Sequence, residues 1–143
     1  MAGNDRTPTA LRHSSEEWLD WLGGELARRG ATPRSRLLIL WDVLEEWFAT
    51  DDFHASALAA ATAGLRRDPG DPTFAAVAAH RLAVRRMLEN LAEGSGVDDP
   101  VRLTAQLQVL VEGAIIGALV DREPGLARHA RELTEIALDA GSG

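Results

Sequence analysis

The chain has 143 residues, 45% of them hydrophobic and 26% charged, which fits one globular domain with a single core and excludes a disordered tail. A net charge of −7 argues against a surface that neutralises a row of phosphates, so we expect no DNA binding by this chain alone. The absence of cysteine excludes disulfides and thiolate chemistry. The first ten residues are polar and lack the apolar run of a signal peptide, so we expect a cytoplasmic protein.

Hydrophobic periodicity predicts about six helices and no strand, so the expected fold class is an all-α bundle. Residues 1–13 have mixed polarity and are expected to form a flexible lead-in to one domain at 14–143. Ser14 followed by Glu17 is a capping box, which predicts that the first helix begins there. Gly30 predicts its end.

The next helices are delimited by turn and capping signals. A second helix is predicted over 32–50, a weaker alanine-rich one over 55–65, and a long one over 71–94 after a turn at 67–70. The second and fourth helices follow a Thr-Pro or Asp-Pro pair, which combines an N-cap with proline at the first helical position. A third such pair, Asp99-Pro100, predicts the start of the fifth helix.

The segment 109–120 is apolar on nearly every side and carries a single charge, Glu112. A helix that is apolar all round is expected to be buried all round. Twelve residues are too few for a bilayer, which takes ~20, so we expect burial in protein and no membrane. A short turn at 123–125 leads into the last helix, so the final two helices should form an antiparallel hairpin. Gly113 and Gly117 lie four residues apart and predict a closely packed face, a candidate subunit interface.

No phosphate-binding loop, nucleophile elbow or zinc-ligand spacing occurs in the sequence, so we expect neither an enzyme nor a metal or other cofactor. Two polar residues nevertheless fall on apolar helix faces. His80 fits either a core histidine with one hydrogen bond or a residue that contacts a ligand. Glu112 is expected to pair with an arginine or histidine, to face a polar cavity, or to lie at an exposed edge.

The aromatic residues near the middle of the chain, Trp41, Phe48, Phe53 and Phe74, are core residues by default. A cavity lined by them, with a few polar groups such as Gln108, would also match the usual composition of a small-molecule site. The sequence leaves both interpretations open.

Several motifs resemble the C-terminal regulatory domain of TetR-type transcriptional regulators. They are the run Leu44-Glu45-Glu46-Trp47-Phe48, the Asp71-Pro72 helix with His80, and the segment Glu112-Gly113-Ala114, and the resemblance extends from about Ser14 to the end. The resemblance implies a homodimer built from the last two helices of each subunit, with interface residues Gly113, Gly117, Val120, Leu126, Ala130, Leu133 and Ala137. It also implies an effector pocket lined by Trp41, Leu44, Phe48, Phe53, His80, Met87, Gln108, Glu112 and Ile115.

TetR-type regulators carry a helix-turn-helix head, which the lead-in here is too short to hold. We therefore expect an effector-sensing and dimerisation domain that binds a small, mainly apolar molecule and lacks its own DNA-binding head, either as a fragment or as a naturally headless protein. The alternative is a ligand-free interaction module that heterodimerises with full-length TetR-type regulators. A filled core around Trp41 and Glu112 favours the second hypothesis, and an open cavity favours the first.

Overall fold

The computed structural model describes residues 5–64 and 70–142. Within these ranges the chain is all-helical and contains no strand, which confirms the predicted fold class. The helices are α1 (Pro8–Arg29), α2 (Pro33–Phe48), α3 (Asp51–Ala55), α4 (Ala57–Ala63), α5 (Pro72–Gly94), α6 (Pro100–Val120) and α7 (Leu126–Gly141). The turn predicted at 67–70 falls outside the described residues except for Gly70.

The N-cap of the first helix lies seven residues earlier than predicted. Thr7 is its N-cap and accepts a hydrogen bond from the backbone N–H of Ala10, and Pro8 occupies the first helical position. This Thr-Pro pair is the same start signal as the one at 32–33, and the start predicted from the capping box at Ser14 is wrong. Leu11, placed in the lead-in by the sequence, is fully buried.

The other predicted boundaries agree closely with the structure. Thr32, Asp71 and Asp99 cap α2, α5 and α6 through side-chain hydrogen bonds to the first helical turn. The sequence did not predict the five-residue α3, which is capped by Thr50 and lies largely in the gap between the helices predicted over 32–50 and 55–65. The Thr50 side chain accepts a hydrogen bond from a backbone N–H in the first turn of α3, so the chain turns and a new helix begins directly after it.

The centre of the bundle is α2, which packs against α1, α5 and α7. Its apolar positions repeat at helical spacing and are buried along their length, including Trp41, Leu44 and Phe48. The indole N–H of Trp41 donates to the Thr134 hydroxyl at 2.8 Å, which joins α2 to α7. The last two helices, α6 and α7, contact each other across the predicted short turn.

The apolar helix α6 is only partly buried in the chain itself, which corrects the expectation of burial on all sides. Val109, Ile116 and Val120 are 67%, 45% and 66% exposed. The helix is also longer than the twelve-residue apolar segment: its 21 residues, with mean hydropathy 1.7 over the most apolar window, suffice by length and composition to cross a membrane. A helix from the core of a soluble protein passes the same test, so this single helix does not by itself indicate a membrane span.

Candidate functional site

Most of the predicted pocket residues fill the core instead of lining a space. Trp41, Leu44, Phe48 and Phe53 are each at most 1% exposed. None of them lines the cavities and grooves described below. A buried aromatic side chain satisfies the same sequence pattern whether it packs against protein or against a ligand, and here it packs against protein.

Two tryptophans that the sequence analysis did not single out for the site join this core. Trp18 of α1 and Trp47 of α2 have ring centroids 5.5 Å apart, and the Trp47 ring meets Phe53 edge to face at 4.7 Å. Neither indole N–H has a hydrogen-bond acceptor among the described residues. Their surroundings are aromatic rings, which offer only the weak acceptance of a π face.

His80 is a core histidine, one of the two interpretations that the sequence left open. Its Nδ1 lies 2.7 Å from the hydroxyl of the buried Ser15, a hydrogen bond that joins α5 to α1. The ring also packs edge to face on Trp18, with centroids 5.4 Å apart. Burial disfavours the charged imidazolium and lowers the pKa of His80 to about 4, so the ring is neutral near pH 7.

This burial predicts a loss of stability in mild acid. The unfolded chain binds a proton at His80 below pH about 6.5, whereas the folded chain binds it only below about 4. The free energy of unfolding should therefore fall as the pH drops from about 6.5 to about 4, by up to about 3 kcal/mol from this residue. Urea unfolding of His80→Gln, which stays neutral, should lose this part of the pH dependence. Equal slopes for the wild type and His80→Gln would contradict the assignment.

One cavity brings together two of the predicted pocket residues, Glu112 and Ile115. It has a volume of about 480 Å3 and lies between α4, α5 and α6; we call it the α4–α6 cavity. Its lining consists of Thr62, Ala63, Phe74, Ala78, Arg81, Glu112, Ile115 and Ile116.

The polar wall of the α4–α6 cavity is an ion pair. The Arg81 guanidinium on α5 donates to the Glu112 carboxylate on α6. Glu112 therefore pairs with an arginine and also faces a cavity, which are two of the three placements that the sequence predicted for it. Beside it the Gln108 side-chain amide donates to the Arg81 carbonyl oxygen at 3.5 Å, although Gln108 does not line the cavity. Arg81 is the site residue that sequence analysis missed, since nothing local marks it.

Met87 belongs to a different place, a groove of about 450 Å3 between α1 and α5. His80, Met87 and Glu112, which the resemblance assigned to one pocket, are thus divided among the core, this groove and the α4–α6 cavity.

The outer side of the α6–α7 hairpin carries apolar side chains in two rows. On α6 they recur at spacings of four and three residues and so share one helix face, and those on α7 lie three residues apart. A groove of about 670 Å3 between the helices is lined by members of both rows, Val109, Leu133 and Ile136, so the rows face the same side. We call this surface the α6–α7 face, made of Val109, Gly113, Ile116, Val120, Leu133 and Ile136.

The residues predicted for a subunit interface divide between this face and the interior. Gly113, Val120 and Leu133 are exposed on the face. Gly117 instead packs against Leu126 of the same chain, since a Cβ added at Gly117 would collide with the Leu126 Cδ1. Ala130 is also buried within the chain, and Leu126 and Ala137 are half-buried.

Comparisons of the chain with models of known families, with curated proteins and with solved structures found no match. The likeness to TetR-type regulatory domains therefore rests on its sequence motifs alone. Among the described residues, no group of three or more His, Asp or Glu side chains is placed to hold a metal ion.

Proposed function

We propose that the chain is a regulatory domain of the TetR type whose principal activity is self-association through the α6–α7 face. The observation that carries this proposal is the concentration of exposed large apolar side chains on that face. Of the seven such side chains in the described chain, five belong to it. An apolar surface of this kind typically marks a binding site for protein or another apolar partner.

A second copy of the chain suits this face better than an unrelated partner. Two identical helical hairpins related by a two-fold axis bury the same apolar rows against each other, because the patch on one copy meets the same patch on the other. Gly113 lies between Val109 and Ile116 with open space above it, so a helix can approach closely at that point. The resulting assembly would be a four-helix bundle of the kind that the resemblance implies.

Sensing of a small effector is the second proposed activity, and the α4–α6 cavity supports it. Its volume of about 480 Å3 falls within the range of small-molecule sites, roughly 300–1,000 Å3. The filled core around Trp41 argues against the pocket position first expected, so the proposed site lies nearer the chain surface, at Glu112 and Ile115.

Sedimentation of the purified chain over a range of about 1–100 µM tests the principal proposal. The chain has a mass of 15.4 kDa, and a dimer of twice that mass is expected. A chain that stays monomeric throughout would contradict self-association. It would favour the alternative of a module that pairs only with a different, full-length TetR-type regulator.

A further inference from the structure

The α4–α6 cavity has one charged wall, and its other walls are largely apolar. One wall is the Arg81–Glu112 ion pair, and the others are largely apolar, with Phe74, Ala78 and Ile115 contributing hydrocarbon surface. An occupant that matches both walls has an apolar body and a polar or charged head at one end. The nature of that head follows from which groups of the ion pair are left to bind it.

Arg81 retains most of its hydrogen-bonding capacity. A guanidinium has five N–H donors, and in the described structure only one from Arg81 is directed to Glu112. The Arg81 side chain is 47% exposed, so the remaining donors are accessible. A planar guanidinium binds carboxylates with two parallel hydrogen bonds, and it can hold a second carboxylate beside Glu112.

The exposures of the two ion-pair partners favour an anion over a cation. The Arg81 side chain is 47% exposed and the Glu112 side chain 36%, so the guanidinium is the more accessible of the two charged groups. An anion that binds Arg81 therefore gains charge-assisted hydrogen bonds at the more exposed side of the pair.

We propose that the α4–α6 cavity binds a small amphipathic carboxylic acid. Its carboxylate accepts hydrogen bonds from Arg81, and its hydrocarbon body packs against Phe74, Ala78 and Ile115. This assignment rests on the effector-sensing part of the proposed function and adds the chemical class of the effector. Self-association does not depend on it.

Three probes with the same eight-carbon chain test the assignment by calorimetric titration: octanoate, octanol and octylamine. Octanoate should bind about 10-fold or more tightly than octanol, because charge-assisted hydrogen bonds add to the shared apolar contact. Arg81→Gln should remove that preference, so that octanoate binds no more tightly than octanol. Glu112→Gln should keep or strengthen octanoate binding, because it frees a donor of Arg81. The matched control Arg86→Gln, on the same helix but lining the α1–α5 groove, should behave like the wild type.

The outcomes distinguish the carboxylate assignment from the broader proposal of effector sensing. Equal binding of octanoate and octanol, or a preference for octylamine, would overturn the carboxylate assignment and retain effector binding. A preference for octanoate that survives in Arg81→Gln would also overturn it. Failure of all three probes to bind would overturn both the assignment and the effector-sensing activity, while the dimer is judged separately by sedimentation.

Discussion

Leu133→Glu is expected to convert the chain from a dimer into a monomer. Leu133 is 51% exposed on α7 and lies on the α6–α7 face, so association would bury it. A carboxylate buried without a partner costs several kcal/mol, and a two-fold interface contains the change twice. The dissociation constant should rise at least about 100-fold, which sedimentation at about 10 µM would show as a loss of dimer.

Leu82→Glu is the matched control for this change. Leu82 is also a leucine, is 48% exposed, and lies on α5, outside the α6–α7 face. It should leave the mass of the dimer unchanged. Dissociation by Leu82→Glu together with an intact dimer in Leu133→Glu would place the interface elsewhere.

Leucine at Gly117 and at Gly113 should have opposite effects on folding, although both glycines lie on α6 one turn apart. At Gly117 the new side chain would collide with the Leu126 side chain, which must move out of its packed position, with an expected loss of about 1–3 kcal/mol in the free energy of unfolding. At Gly113 a Cβ meets nothing within 4 Å, and removal of a mid-helix glycine should stabilise the folded chain by up to about 1 kcal/mol.

Unfolding of both variants is best measured on the Leu133→Glu background, where association does not contribute. In the wild-type background, Gly113→Leu should instead weaken the dimer, because a branched side chain blocks the close approach of a second helix. Comparable unfolding free energies for the two variants would contradict the packing of Gly117 against Leu126. An unchanged dimer in Gly113→Leu would exclude Gly113 from the interface.

Helix positions could be predicted from the sequence because their signals are local. An N-cap with a following proline is encoded within two or three residues, and four of the helices begin at such a pair. At α1 the sequence contains two local start signals, Thr7-Pro8 and the capping box at Ser14, and the prediction used only the second. The position at which α1 begins depends on tertiary packing, because residues of α4 and α5 cover Leu11.

The candidate site was predicted less well from the sequence. Whether a buried side chain fills the core or lines a cavity depends on tertiary packing, which local sequence does not encode. Apolar periodicity shows that Trp41 and Phe48 face inward, but a side chain that faces inward can fill a core or line a cavity. The Arg81–Glu112 pair joins residues 31 positions apart, so the partner of Glu112 emerges only from the packing of α5 on α6. Gly113 and Gly117 have the expected helical spacing, yet α7 covers Gly117 and leaves Gly113 open.

Ile115 and Ile116 are adjacent in the chain and both line the α4–α6 cavity, but Ile116 is also part of the α6–α7 face. A ligand and a second subunit would therefore share one side chain, and the two equilibria would be thermodynamically linked. Any factor by which a ligand changes the dimerisation constant must equally change the affinity of the dimer for that ligand. The apparent affinity of the α4–α6 cavity for a ligand would then depend on the concentration of the protein itself.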